Sequence, residues 1–237
     1  VTVDTGTTSV EEVKYAKDAG LDIVVTDHHE CSETLPDCPV VNPKRKDSGY
    51  PFPFLAGVGV VFKVVSFLSK ENAATLFSEY GYLAAVGTVA DIMPLLGENR
   101  IIVKHGLSSF SEKENIGLSA LINAAECSFS DSSSVAFRIA PRLNAVGRMA
   151  SAKTAVELLL CEDERKAAEL AGILCEKNEE RQSTEKRIFS SVEQRLGNEE
   201  KHNIIVEGDE SWHNGVIGIV ASRLVEKYRR PTILFNF

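Results

Sequence analysis

The strongest constraint on this chain lies in its first 29 residues, where two short β-branched runs each end in an acid. Val1-Thr2-Val3 closes on Asp4, and Ile23-Val24-Val25-Thr26 closes on Asp27-His28-His29. Between them, Ser9 and Glu12 have capping-box spacing, Val10, Val13 and Ala16 share one helical face, and Gly20 supplies a stop, so a helix is predicted there. A second strand is predicted over Leu21–Thr26. A strand, a helix and a strand in that order form a right-handed crossover between parallel strands. Asp4 and Asp27-His28-His29 are therefore expected on the same carboxyl edge of the sheet, which is where open α/β folds bind ligands. Two imidazoles beside carboxylates suit a divalent cation. The alternative is a polar turn that caps a strand.

Residues 31–55 carry five of the eight prolines and read as irregular chain around a short Val40-Val41 strand. Lys44-Arg45-Lys46 within it is either a solvated turn or a phosphate contact. Helical patterns follow at 56–68 and 73–89, the second of them apolar enough to be buried. It runs into Ala90-Asp91-Ile92-Met93-Pro94, a lone carboxylate in an apolar stretch. A carboxylate is expensive to bury unpaired, so Asp91 is expected to meet a cation or a set of donors, or else to cap a helix N-terminus.

Helices are predicted near 99–110 and 117–126. The segment Phe137–Met149 then places Arg138, Arg142 and Arg148 with Asn144 among apolar residues. The guanidinium fork suits phosphate oxygens, and surface salt bridges are the other reading. One long helix is predicted from Glu162 to Leu196, apolar at both ends and polar around Glu176–Arg187, the pattern of a connector exposed to solvent between two lobes. At its full length it would span about 50 Å. A strand over Asn203–Glu207 follows. Then Trp212-His213-Asn214-Gly215 opens an amphipathic helix ending near Tyr228, a plausible anion site at a helix start. The expected fold is α/β: a parallel sheet, a long helix, and the start of a second, smaller α/β domain.

Composition narrows the function. The net charge of −8 over 237 residues does not announce a nucleic-acid binder, although a local basic groove stays compatible with it. Five scattered cysteines without a C-x-x-C argue against a disulfide framework or a structural zinc site, so a reducing, cytoplasmic setting is expected. No apolar run reaches the roughly 18 residues of a membrane helix, and no membrane partner is expected. The chain starts without Met and inside a strand pattern, and it stops on Thr232–Phe235, another apolar strand pattern, so it reads as a piece of a longer protein.

Val3-Asp4-Thr5-Gly6, Asp27-His28-His29 and Ala90-Asp91-Ile92-Met93-Pro94 resemble the ordered acidic motifs of the DHH phosphoesterase superfamily. Within it, Pro141-Arg142-Leu143-Asn144-Ala145 with Gly147-Arg148, and His213 with Gly215–Leu224, resemble the RecJ family of single-strand-specific 5′→3′ exonucleases. The Gly-Gly-Gly-His signature of the oligoribonuclease and cyclic dinucleotide branches is absent.

The resemblance implies a Rossmann-like DHH domain over 1–160, a connecting helix over 161–197, and the beginning of a DHH-associated domain over 198–237. It further implies a catalytic group of Asp4, Asp27, His28, His29 and Asp91. In that group Asp4 would bridge two Mn2+ or Mg2+ ions, His28 and Asp91 would complete one of them, and His29 would stand beside the attacking water or the substrate phosphate. Arg138, Arg142, Asn144 and Arg148 would line the nucleic-acid path, and His213 with the Gly215 backbone would face the scissile phosphate. Two departures stand out. The family's Asp-x-Asp motif precedes the first residue of this chain, and the position after His213, often Pro, is Asn214. The implied activity is metal-dependent hydrolysis of single-stranded DNA from the 5′ end in repair and recombination, with a single-strand-binding protein or helicase as partner. The alternatives are a phosphoesterase for a small phosphorylated molecule or oligonucleotide, and a catalytically silent domain that binds a replication or repair partner.

Overall fold

The computed structural model describes residues 1–111, 115–197 and 203–237. The first residue of the expected DHH-associated domain, at 198, lies outside the described residues. The chain is α/β and divides into two compact units, Val1–Glu114 with Glu126–Ala140 and Asn115–Ala125 with Pro141–Phe237.

In the first unit, β1 (Thr2–Val3), β2 (Val25–Thr26) and β3 (Val40–Val41) pair in parallel in the order β1-β2-β3. Thr2 stands opposite Val25, and Val25 opposite Val40. The regular ladder covers only Val25–Thr26 of the predicted strand Leu21–Thr26. The reason is local: β1 begins at Thr2, and Pro39, ahead of β3, has no N–H with which to extend the pairing. Helix α1 (Val10–Asp18) covers the sheet through Val13, which packs with Val25 and Val40. Each such buried side chain contributes about 1.5–3 kcal/mol. The predicted capping box does not form. Ser9 makes no side-chain cap bond; its backbone N–H donates to the Gly6 carbonyl in a tight turn.

Three longer helices complete the unit's core: α2 (Gly57–Ser69), α3 (Ala73–Ala90) and α4 (Gly97–Ser109). Asn72 caps α3 by accepting from the Thr75 N–H. Helix α3 is buried through Leu76 near its start and through Tyr82, Ala84, Ala85, Val86 and Val89 in its C-terminal half. Lys44-Arg45-Lys46 behaves as a turn: Lys44 pairs with Glu30 at 2.9 Å and Arg45 with Asp47 at 2.6 Å.

The second unit contains α5 (Ile116–Ala124). A short α6 (Ser132–Ser134) and a π-helical turn (Val135–Ile139), both in the first unit, precede α7 (Ala140–Met149), and the unit boundary falls after Ala140. The second unit continues with α8 (Lys153–Leu159), α9 (Glu164–Leu196), β4 (Ile205–Gly208), α10 (Asn214–Tyr228) and β5 (Thr232–Phe235). Strands β4 and β5 pair in parallel from Ile205 opposite Thr232 to Gly208 opposite Phe235, with α10 as the crossover. Ile188 and Val192 from α9, Ile205, Trp212, and Val216, Val220 and Leu224 from α10 form one core.

Helix α9 departs from the predicted solvent-exposed connector. Its polar middle buries Asn178, 2% exposed, and Glu185, 7% exposed. Glu185 receives Arg181 at 2.8 Å from the same helix and Arg223 at 2.5 Å from α10, while Arg181 also donates to Asn178. A buried carboxylate is tolerable only when paired in this way. Sequence polarity alone did not distinguish a paired interface from a solvated face. Among the described residues, no helix is long and apolar enough to cross a membrane.

Candidate metal centre

The sheet brings Asp4 and His28 together at its carboxyl edge, as parallel pairing demands. Asp4 follows β1 with φ +61°, in the left-handed region that Asp tolerates better than most residues. His28 follows β2, is buried, and aims Nε2 at two carboxylates, 3.0 Å from Asp4 Oδ1 and 3.5 Å from Asp91 Oδ2. Its Nδ1 finds no partner among the described residues. His29 stacks beside it with ring centroids 4.6 Å apart, and Asp4, His28 and His29 each offer a ligand atom within 4.8 Å of the others. One carboxylate and two imidazoles within mutual reach, with Asp91 approaching from the His28 side alone, make a donor set that fits a borderline or hard divalent cation such as Mn2+ or Mg2+; the expected trio of Asp4, His28 and Asp91 shares only its first two members with this group.

Asp91 reaches this point differently from the expectation. It is neither buried nor an N-cap: it follows the last residue of α3, its N–H bonded to the Gly87 carbonyl, with its side chain 45% exposed. A negative charge at a helix C-terminus opposes the helix dipole, so this placement does nothing for the helix. The chain turns sharply just after it. Ile92 takes φ +55°, an outlier for a β-branched residue that costs on the order of 1–3 kcal/mol.

Asp27 has another task. It is buried, and its two oxygens accept four hydrogen bonds, from the Thr7 N–H at 2.9 Å, the His28 N–H at 2.7 Å, the His29 N–H at 3.2 Å and His29 Nδ1 at 2.7 Å. Burial pushes its pKa up, but the Thr7 and His29 donors outweigh burial and hold the carboxyl well below the usual range. The same hydrogen bond raises the His29 pKa. Asp27 thus fixes the turn that presents the two histidines. Asn42, just past β3, ties the turn from the other side by donating to Thr7 Oγ1 and to the His29 carbonyl, each at 2.9 Å.

Sequence reasoning passed over Thr7, Asn42 and Gly57. Asn42 had a signal, since it is the polar residue at the tip of the third strand. Gly57 had none. It opens α2 directly behind Asp4, and a Cβ there would run into the carboxylate oxygen and lie 2.7 Å from Asp4 Cγ and 2.8 Å from its Cβ.

The predicted nucleic-acid residues divide between the two units. Arg138 is exposed on the π-helical turn of the first. In the second, Arg142, Asn144 and Arg148 lie on α7, with Asn144 and Arg148 four residues apart on one face. Arg142 Nε donates to Cys175 Sγ at 3.3 Å. Arg148 reaches the Gly215 carbonyl at 3.4 Å, and a Cβ on Gly215 would strike the Arg148 carbonyl. His213 caps α10 by accepting the Gly215 N–H on Nδ1 at 3.1 Å, and its carbonyl accepts from Val216, so the turn closes with Asn214 in place of Pro. Arg148, His213 and Gly215 are therefore brought together.

Residues 1–88 match the DHH family, N-terminal domain. The chain is 42% identical to the single-stranded-DNA-specific exonuclease RecJ of Bacillus subtilis, a match covering 100% of this chain and 30% of that protein. It is 34% identical to the exonuclease of the same name from Escherichia coli, over 99% of this chain and 44% of that one. The chain thus spans less than half the length of these curated relatives. Among solved structures, exonuclease RecJ bound to manganese superposes with a TM-score of 0.85 at 35% identity, covering 99% of this chain and 60% of that one. RecJ from Thermus thermophilus in complex with Mn2+ gives 0.85 at 36% identity, over 98% and 35%.

Proposed function

We propose that this chain, whose residues 1–88 match the DHH family and which is similar to RecJ exonucleases along nearly its whole length, is a member of that family and holds metal and DNA strand in a single-strand-specific exonuclease. The convergence of Asp4, His28 and Asp91 carries this reading. Bound divalent ions would supply an activated water and neutralise charge on the phosphate. Asp4, His28 and Asp91 would hold them. Asp27, saturated by donors, keeps His29 turned so that its free ring nitrogen faces the reacting phosphate. Two adjacent dications call for more negative charge than Asp4 and Asp91 provide, so we infer that carboxylates elsewhere in the longer protein complete the pair.

Arg138, Arg142, Asn144 and Arg148 would line the path of the strand, and His213 with the Gly215 backbone would face the phosphate to be cut. The domain organisation we propose is a DHH domain over 1–160, a connecting helix over 161–197 and a DHH-associated domain from 198. The setting is cytoplasmic repair and recombination, alongside a single-strand-binding protein or a helicase.

Two measurements test this. With Mn2+, the full-length protein should shorten a 5′-labelled single-stranded oligonucleotide and leave a blunt duplex of the same sequence intact; cleavage of dinucleotides without digestion of long strands would sink the exonuclease reading in favour of a small-molecule phosphoesterase. Arg148→Ala should weaken single-strand binding and reduce the slope of log K against log salt by about 0.7, the share of one phosphate contact. An unchanged slope would remove Arg148 from the strand path.

A further inference from the structure

The strained turn after Asp91 leaves an apolar side chain in solvent. Ile92 is 90% exposed although its backbone sits in a region that β-branched residues avoid, and its strain is not repaid by burying the side chain. The turn is held from behind, by the Ile92 N–H on the Val89 carbonyl and the Met93 N–H on the Thr88 carbonyl. In the same unit, Phe137 is 77% exposed on the π-helical turn Val135–Ile139, and such turns often mark functional positions. Ile92 and Phe137 line one concavity of about 220 Å3, with Val89, Met93, Leu95 and Ala136 and, at one side, the hydroxyl-bearing Ser132 and Ser133. No charged side chain lines it. It is flanked by charge through the chain itself, since Asp91 of the metal centre precedes Ile92 and Arg138 follows Phe137.

We propose that this concavity receives one nucleobase of the substrate strand, with the Phe137 ring and the Ile92 side chain against the base. The inference rests on the exonuclease reading and names a contact which that reading lacks. A nucleobase is a flat ring with apolar faces, polar edges and a phosphate on either side, which matches a mostly apolar hollow whose two most exposed side chains, Ile92 and Phe137, are each next in the chain to a charged residue. Stacking on an aromatic ring accepts every base, as an enzyme without sequence preference requires. The left-handed turn is what points Ile92 outward.

The test uses the full-length protein with Mn2+, an oligo-dT strand, and a strand of equal length made of abasic sites. Phe137→Ala and Ile92→Gly should each raise KM for oligo-dT about tenfold. The abasic strand, already weak, should change less than twofold, and Mn2+ affinity by calorimetry should stay unchanged. Both side chains are exposed, so the melting temperature should hold, and Ile92→Gly should also relieve backbone strain. Equal losses on both strands, or no loss on either, would overturn the proposal. So would dissociation of a dimer by Phe137→Ala in sedimentation, which would show the hollow to be covered by a second copy. If the wild-type protein digests no single strands, the exonuclease reading fails by itself. Anisotropy of labelled oligo-dT against the abasic strand then still decides whether the hollow holds a base.

Discussion

Asp91→Asn in the full-length protein is expected to lower nuclease turnover by about a thousandfold or more while the protein melts at the same temperature or slightly higher. The loss follows from removing a charge that faces His28 Nε2 at 3.5 Å and would face the metal, whose stabilisation of the reacting phosphate is worth several kcal/mol. Stability does not fall, because the half-exposed carboxylate leaves no cavity and the helix end is held by backbone. It can even rise: a carboxylate at the C-terminus of α3 opposes the helix dipole, and neutralising it returns about 0.3–1 kcal/mol, or about 1–3 °C for a chain of this size. Turnover near wild type would take Asp91 out of the metal site. A melting point lowered by 5 °C or more would mean that the carboxylate supports the fold after all.

Gly57→Ala is the second large effect expected, and it falls on metal binding rather than on helix stability. In a helix, Ala for Gly usually stabilises by up to about 1 kcal/mol. Here the new methyl would meet the whole Asp4 side chain, Cβ and Cγ as well as the oxygen, so a change of rotamer cannot clear it. Asp4 must move at the backbone, where φ +61° already leaves few alternatives. Displacement of a ligand through its support costs on the order of 10–100-fold in metal affinity. Calorimetric titration should show Mn2+ binding weakened by that factor with the melting temperature kept within a few degrees. Wild-type affinity in this variant would show that Asp4 does not need its present position to bind metal.

These two residues also mark how far the sequence could be read. Asp4, His28 and Asp91 were legible because strand tips and helix ends are local features, announced by β-branched runs and by a proline. The environment of Asp91 was not. Its neighbours in sequence are apolar, yet the left-handed turn at Ile92 lifts the carboxylate into solvent, and nothing in Ala90-Asp91-Ile92 foretells that turn. Gly57, Thr7 and Asn42 act on residues between 13 and 53 positions away, through contacts no periodicity encodes. The helix from Ser132 to Met149 was hidden by Pro141. A π-helical turn just ahead of it accommodates a residue without an N–H. On α9 the amphipathic ends were plain, whereas the burial of Glu185 depended on Arg223, a partner 38 residues away.

The four donors that fill Asp27, with Asn42 braced against the same turn, bear on how the candidate centre would take up an ion. The backbone of His28 and His29 is already fixed by protein groups, so an arriving ion does not have to freeze a loose loop, and the ordering entropy that usually opposes chelation by a flexible segment was spent when the domain folded. Ion capture should then be governed by the shedding of bound water. A rigid frame of this kind discriminates between cations by radius and preferred ligand number, since it cannot shrink or swell to follow each of them.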